Sequence, residues 1–283
     1  MAPRISLVVS DVDGTLVTPD KRLTNRSAQA VAKLAAQGIK FTITSSRPPF
    51  GVRMLIAPLA LKLPIGAFNG GCVVDPALNV IERHFIPEDA ARKAIDLFEA
   101  RGIDVWLFTA DAWLLRDGDG ANVERERNTV QASPVIVESY AADMGRAIKI
   151  VGVSNDFDQL AQCEGEVRAV LGSSASASRS QRYYLDVTPP GIDKGTFVAG
   201  VAARLSIPRE EIVVIGDMDN DLPMFATSGL SIAMGNAQNH VKAQANYSTT
   251  SNADDGFADA IERFVLPATA PNTSKFKDDG LNS

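Results

Sequence analysis

Two carboxylates stand one residue apart where an apolar run stops: Asp11 and Asp13, directly after "ISLVVS". A second apolar run, Val213 to Ile215, passes through Gly216 to Asp217, with Asn220 and Asp221 close behind. A third run ends on Ser45, Ser46 and Arg47, and a fourth on Asn69, Gly70 and Gly71. Lys194 opens the helical stretch that precedes the second acidic cluster. Asp and Gly are common turn residues, so "DVDG" alone says little. Carboxylates, small hydroxyls and one lysine, all at strand ends, are the parts of a magnesium-assisted phosphoryl site. Magnesium takes hard oxygen ligands in an octahedron and usually keeps several waters. An aspartate can also attack phosphorus and carry the group as an aspartyl-phosphate. The metal, a lysine and hydroxyl or N–H donors then offset the charge on the phosphoryl oxygens. A second acid two residues along lies on the same side of an extended segment, placed to move the leaving group's proton.

These groups can meet only if the runs that carry them are neighbouring strands. "ISLVVS" is continuously apolar, as expected of a strand covered on both faces of a parallel sheet. "TNRSAQAVAKLAAQG" follows as a helix, with Thr24 as N-cap and Gly38 just past its end. "IKFTITSS" and "LPIGAFNGG" read as the next strands, and "KGTFVAGVAARLS", "EIVVIGD", "NDLPMFATSG" and "LSIAMG" resume the alternation. That grammar predicts an α/β class: a Rossmann-like, three-layer core with a mainly parallel sheet. Ligands of such sheets bind beyond the carboxyl ends of the strands.

The middle of the chain has a different texture. "IDVWLFTADAWLLRD" and "SASASRSQRYYLDVT" read as strand pairs, and "PEDAARKAIDLFEARG" and "DFDQLAQCEGEVRAVLG" as helices. Hairpins beside helices predict an inserted α+β unit. The expected division is 1–84 and 188–266 for the core, 85–187 for the insertion and 267–283 for a polar, proline-bearing tail that is disordered.

The 283 residues carry 28 basic and 34 acidic side chains, a net charge of −6. That balance argues against nucleic acid or an anionic membrane as the main partner, since both need a basic footprint. A small phosphorylated metabolite needs only a few local cations. No apolar stretch approaches the roughly 18 residues of a spanning helix. Two distant cysteines, Cys72 and Cys163, and no signal-peptide pattern fit a reducing cytoplasm. Oligomeric state has no signature here.

"DVDGT" at 11–15 resembles the first motif of the haloacid dehalogenase superfamily, and the strand ending in Ser45 resembles the second. Lys194 in "GIDKG" is similar to the third, "GDMDND" at 216–221 to the fourth. "FNGG" at 68–71 and "AMGNA" at 233–237 resemble the Cof-type branch (class IIB), whose large α/β cap lies between motifs two and three. The resemblance spans residues 5 to about 265. It implies a phosphatase with Asp11 as nucleophile, and Mg²⁺ held by Asp11, the backbone carbonyl of Asp13 and Asp217. Asp13 would be general acid and base. Ser45, Ser46, Lys194 and Asn220 would hold the phosphate, supported by Asp221, Asn69 and Arg47. Gly14 and Thr15 would turn the chain away. Relatives of this branch usually have Thr-Gly-Arg at motif two, where this chain has Ser45-Ser46-Arg47.

Other side chains have plainer readings. His84 and His240 lack a second ligand type at metal spacing. Trp106 and Trp113 are expected to pack the inserted unit. Arg182, Tyr184 and Asp186 alternate on one of its strands, and core-facing and substrate-facing roles both stay open. Asn236 either caps a turn or stands beside the site. A sugar phosphate is the commonest substrate class of the branch. A phosphomutase on the same scaffold and a catalytically silent phosphometabolite-binding protein are the competing functions. A metal-chelating D-x-D of a glycosyltransferase would leave Lys194 and "GDMDND" without work.

Overall fold

Every residue of the first strand, β1 (Leu7–Ser10), is buried, because apolar side chains cover it from both sides. The computed structural model describes residues 4–269. In chain order there follow α1 (Asn25–Ala36), β2 (Lys40–Ile43), α2 (Arg53–Ile56), β3 (Ile65–Ala67), β4 (Cys72–Val74) and β5 (Val80–Arg83). Next come α3 (Glu88–Ala100), β6 (Asp104–Phe108), β7 (Trp113–Leu115), α4 (Val123–Val130), β8 (Val135–Ile136) and β9 (Lys149–Val153). Then α5 (Phe157–Leu171), β10 (Ser176–Gln181), β11 (Tyr184–Thr188), α6 (Lys194–Leu205), β12 (Ile212–Gly216) and α7 (Leu222–Thr227). The last are β13 (Leu230–Ala233), α8 (Asn239–Lys242), β14 (Tyr247–Ser248), α9 (Gly256–Ala260) and α10 (Leu266–Thr269).

A five-stranded sheet in the order β14-β13-β12-β1-β2 is parallel throughout. Alternation along β1 divides its cover. Leu7 and Val9 join a cluster with Phe197, Val198 and Met224 from α6 and α7. Val8 joins Val31 and Leu34 of α1 and Phe257 of α9 on the other face. Helix, sheet and helix are the three layers expected. The chain runs from β1 outward to β2 and later returns to β12 on the other side, so β1 sits where the strand order reverses. Such a point opens a crevice at the strands' carboxyl ends.

Two caps set the helices that matter here. The Thr24 hydroxyl accepts Ser27 N–H at 3.0 Å, and Gly38 (φ +74°) ends α1. Asp193 accepts Thr196 N–H at 2.8 Å and donates its own N–H to the Thr196 hydroxyl at 3.0 Å. This capping box fixes the start of α6 and with it Lys194, the first helical residue.

The "LPIGAFNGG" strand departs from expectation. β3 meets the end of β2 only through a parallel bridge between Thr44 and Gly66. It belongs instead to a three-stranded antiparallel sheet with β4 and β5. A six-stranded sheet, in the order β10-β11-β9-β6-β7-β8, draws all its strands from residues 104–188. The serine-rich β10 is its edge. Trp106 and Trp113 pack edge to face within it. The largest apolar cluster passes from the parallel sheet into this one, where Phe68 meets Phe108 at 5.8 Å between ring centroids. No helix among the described residues is long and apolar enough to cross a membrane. Of the tail expected to be disordered from 267, residues 267–269 lie in α10, which continues the preceding helical turns. The remainder lies outside the described residues.

Candidate active site

The parallel register sets Ser10 beside Ile215 and Ile43, so the residues after β1, β2 and β12 emerge side by side. Lys194 Nζ reaches into this edge from α6 and donates to Asp11 Oδ1 at 2.5 Å and Asp221 Oδ1 at 2.6 Å. All three side chains are buried. Burial alone would discharge the lysine, but Asp11 and Asp221 overcome that and hold its pKa above the usual range. Asp221 Oδ2 accepts the backbone N–H groups of Asp217 and Met218 at 2.7 and 2.9 Å. It braces the lysine and the loop together. Gly216 is what lets it in, since a Cβ there would stand 2.5 Å from Asp221 Cγ.

Asp217 is held at both oxygens. Thr15 donates its hydroxyl to Oδ1 at 3.0 Å, and Asn236 donates Nδ2 to Oδ2 at 3.2 Å and to the Gly14 carbonyl at 2.9 Å. Gly14 (φ +87°) does turn the chain, and a Cβ on it would lie 2.3 Å from Asp217 Oδ2. Thr15, however, does not leave the site as the sequence suggested. The turn brings its hydroxyl back onto the second acidic motif. Burial, then Asp11 and Asp221, push the Asp217 carboxyl well above the usual range. Burial raises Asp11 as well, to about 7, although Lys194 opposes it.

Asp13 has the opposite environment. Arg47 donates Nε to its Oδ2 at 2.7 Å and Nη2 to its Oδ1 at 2.8 Å, and Lys21 Nζ adds a bond to Oδ1 at 2.7 Å. Burial raises its pKa, but the guanidinium and then the ammonium more than reverse this and hold it well below the carboxylate range. Arg47 itself is fixed by the Gly51 carbonyl at 3.1 Å.

The second and third strand ends are stitched by backbone. Ser45 N–H donates to the Gly66 carbonyl at 2.8 Å, Asn69 N–H to the Ser45 carbonyl at 2.8 Å and Phe68 N–H to the Arg47 carbonyl at 2.9 Å. Phe68 and Asn69 both take left-handed φ, +50° and +57°. Asn69 accepts an Asn220 amide proton at 3.2 Å, so those two residues do meet. The Ser45 hydroxyl is buried and accepts Arg47 N–H at 3.2 Å. Ser46 does not have positive φ, so its side chain costs no backbone strain. Its carbonyl accepts Lys149 Nζ at 3.0 Å.

Sequence reasoning missed Lys149. It comes from β9, pairs with buried Asp186 at 3.2 Å and lies over the Phe108 ring at 5.2 Å. It also missed Lys21, Thr15 and the whole of α4, which brings Arg125 and Glu126 to a cleft shared with Asp13, Arg47 and Lys149. Tyr184 reaches that cleft and Asp186 supports it, whereas exposed Arg182 stacks on Phe157. His84 pairs with Glu82 and His240 with Asp219, each at the surface.

A divalent cation fits the acidic side of this site. Oxygens of Asp11, Asp217 and Asp221 lie within 4.8 Å of one another. Three carboxylates against one lysine leave two formal negative charges to balance. Asp11 Oδ2 is buried with no hydrogen-bond partner among the described residues, an arrangement costly without a ligand. The donors are all hard oxygens, which suits Mg²⁺ rather than a soft metal.

Comparison with known proteins places this arrangement. The family model of haloacid dehalogenase-like hydrolases matches residues 8–261. The chain belongs to that family. Among curated hydrolases, it is 26% identical over 283 residues to the 5-amino-6-(5-phospho-D-ribitylamino)uracil phosphatase YwtE of Bacillus subtilis, covering 91% of this chain and 97% of that one. It is 27% identical over 271 residues to the pyridoxal phosphate phosphatase YbhA of Escherichia coli, covering 92% and 98%. A crystal structure of a haloacid dehalogenase-like hydrolase from Bacteroides thetaiotaomicron superposes with a TM-score of 0.81 at 27% identity, covering 92% of this chain and 99% of that chain.

Proposed function

We propose that this hydrolase is a Mg²⁺-dependent phosphatase of small phosphorylated metabolites, with sugar or other polyol phosphates as its substrate class, working through an aspartyl-phosphate. The observation that carries the reading is Asp11: one oxygen is anchored by Lys194 and the other is buried and unpartnered at the edge of the sheet. Two relatives named above are phosphatases of phosphorylated small molecules, one bearing a phosphorylated ribityl chain.

Asp11 Oδ2 attacks phosphorus, the bond to the ester oxygen breaks and Asp13 supplies the proton that oxygen needs. Water then attacks the aspartyl-phosphate, gives its proton to Asp13 and releases inorganic phosphate. Arg47 and Lys21 keep Asp13 ionised, the form the second half requires. The arriving phosphoryl dianion favours the protonated form for the first half. Lys194, the Ser45 hydroxyl, the backbone at Ser46 and the Asn220 amide hold the phosphoryl oxygens. Asp11, the Asp13 carbonyl and Asp217 would hold Mg²⁺, whose charge offsets that of the phosphoryl group. Residues 85–187 act as a cap over a core of 1–84 and 188–266, closing the cleft against water.

Asp11→Asn is expected to abolish phosphate release from p-nitrophenyl phosphate while the circular dichroism spectrum stays that of the native protein. Full activity in that variant would overturn the mechanism.

A further inference from the structure

The cleft lined by Asp13, Arg47 and Lys149 holds one carboxyl that the proposed phosphoryl chemistry does not use. Glu126, on α4, is 7% exposed and lines the cleft with Asp13, Arg47 and Lys149. Its Oε2 accepts the Tyr184 hydroxyl at 3.1 Å. Its Oε1 receives no hydrogen bond among the described residues and stays accessible from the cleft. Position is not left to chance: buried Val123 and Val130 flank it on α4, and Val130 packs against Gly51 in the turn that follows Arg47. The helix therefore fixes Glu126 relative to Asp13. A carboxyl anchored at one oxygen and open to the cleft at the other presents a fixed acceptor to whatever enters.

The neighbours restrict what that ligand offers. Lys21, Arg47, Arg125 and Lys149 line the same space and repel a cationic group, while an anionic group carries no proton to donate to the Glu126 carboxyl. Burial pushes the Glu126 carboxyl above its usual range, with Asp13 adding to this and Lys149 and Arg47 opposing it. A neutral donor remains, and hydroxyls and an amide from Thr129, Ser180 and Gln181 continue the same lining.

We propose that Glu126 is a specificity-determining residue whose Oε1 accepts hydrogen bonds from hydroxyl groups of the leaving group, selecting polyol phosphates over alkyl phosphates of equal length. The proposal rests on the phosphatase reading above. Sites built to bind a substrate hydroxyl reject analogues that lack it, because their own polar groups are then left unpaired.

The test compares kcat/KM for erythritol 4-phosphate and butyl phosphate, two four-carbon esters with similarly poor leaving groups. The native protein is expected to prefer the polyol by about 100-fold or more. Glu126→Gln should cut that preference at least tenfold, and Tyr184→Phe, which frees the carboxyl from its anchor, by a smaller factor. A preference unchanged in Glu126→Gln overturns the proposal. So does an equal loss on both esters, the signature of a merely structural residue. If Glu126→Gln does not fold, Tyr184→Phe carries the same comparison. A native protein inert toward p-nitrophenyl phosphate would instead overturn the phosphatase reading itself.

Discussion

Arg47 grips Asp13 with two parallel hydrogen bonds, Nε to Oδ2 at 2.7 Å and Nη2 to Oδ1 at 2.8 Å. The guanidinium is almost fully buried, and its plane fixes the carboxyl plane as a single ammonium could not. The proposed proton carrier is thus oriented before substrate arrives.

Arg47→Lys keeps the charge and loses the fork. We expect kcat on alkyl phosphates to fall by about 100-fold, in line with the usual contribution of general acid–base groups. The loss on p-nitrophenyl phosphate should be smaller, because nitrophenolate leaves without needing the proton. Steady-state rates on both esters check this, and equal losses would remove Arg47 from the proton path.

The paired acids make stability depend on pH in a definite direction. Asp11 is raised from 3.8 to about 7 and Asp217 lies well above its ordinary value. A carboxyl so raised holds its proton more tightly folded than unfolded, so stability falls as pH rises above about 4, and the Asp11 share of that fall is complete once pH passes about 7. Asp13, depressed instead, stabilises above 3.8 and loses that contribution only at more acid pH. The melting temperature of the metal-free protein should therefore drop across pH 4–7. Mg²⁺ at pH 7.5 should raise it again, and Asp217→Asn should weaken both responses.

Lys149, on β9 of the six-stranded sheet, bonds both the Ser46 carbonyl and Asp186 of β11. Lys149→Met leaves Asp186 buried without its cation, at a cost of about 3 kcal/mol read by urea unfolding. Adding Asp186→Leu should recover most of that stability. Lys149→Met is also expected to raise KM, and Asp186→Leu should not reverse that, because the link to the Ser46 carbonyl stays broken.

Gly14 has no room for a side chain. Its φ of +87° disfavours one, and a Cβ would stand 2.3 Å from Asp217 Oδ2. Gly14→Ala is expected to cost about 1–3 kcal/mol of stability. It should also abolish the thermal response to Mg²⁺, a readout that strain elsewhere in the fold would not touch.

The meeting of the acidic residues with Lys194 was legible because it is local. Asp11, Asp13, Asp217 and Asp221 each follow an apolar strand within a few residues, and parallel strands end at one edge. Lys194 was legible through its helix start. The cleft was not. Glu126 sits in "NVERERNTV", a short, highly charged helix with no apolar stripe wide enough to announce a buried face. Lys149 opens an apolar strand and looks like a solvated flank until Asp186, 37 residues later, comes beside it. Thr15 was read as part of a turn away from the site, since a turn's exit direction depends on dihedrals that composition does not reveal. β3 was read into the parallel sheet because an apolar run carries no sign of its partner's direction.

The pairing of Leu7 with Ile212 has a consequence for synthesis. The central strand of the parallel sheet waits for a neighbour made about 200 residues later, while residues 88–188 can pair among themselves as they leave the ribosome. Asp11 is made 183 residues before Lys194, the cation that anchors it. A chain released before Lys194 therefore carries the proposed nucleophile without its anchor, and the proposed site is assembled only once β12 and Asp217 have been made.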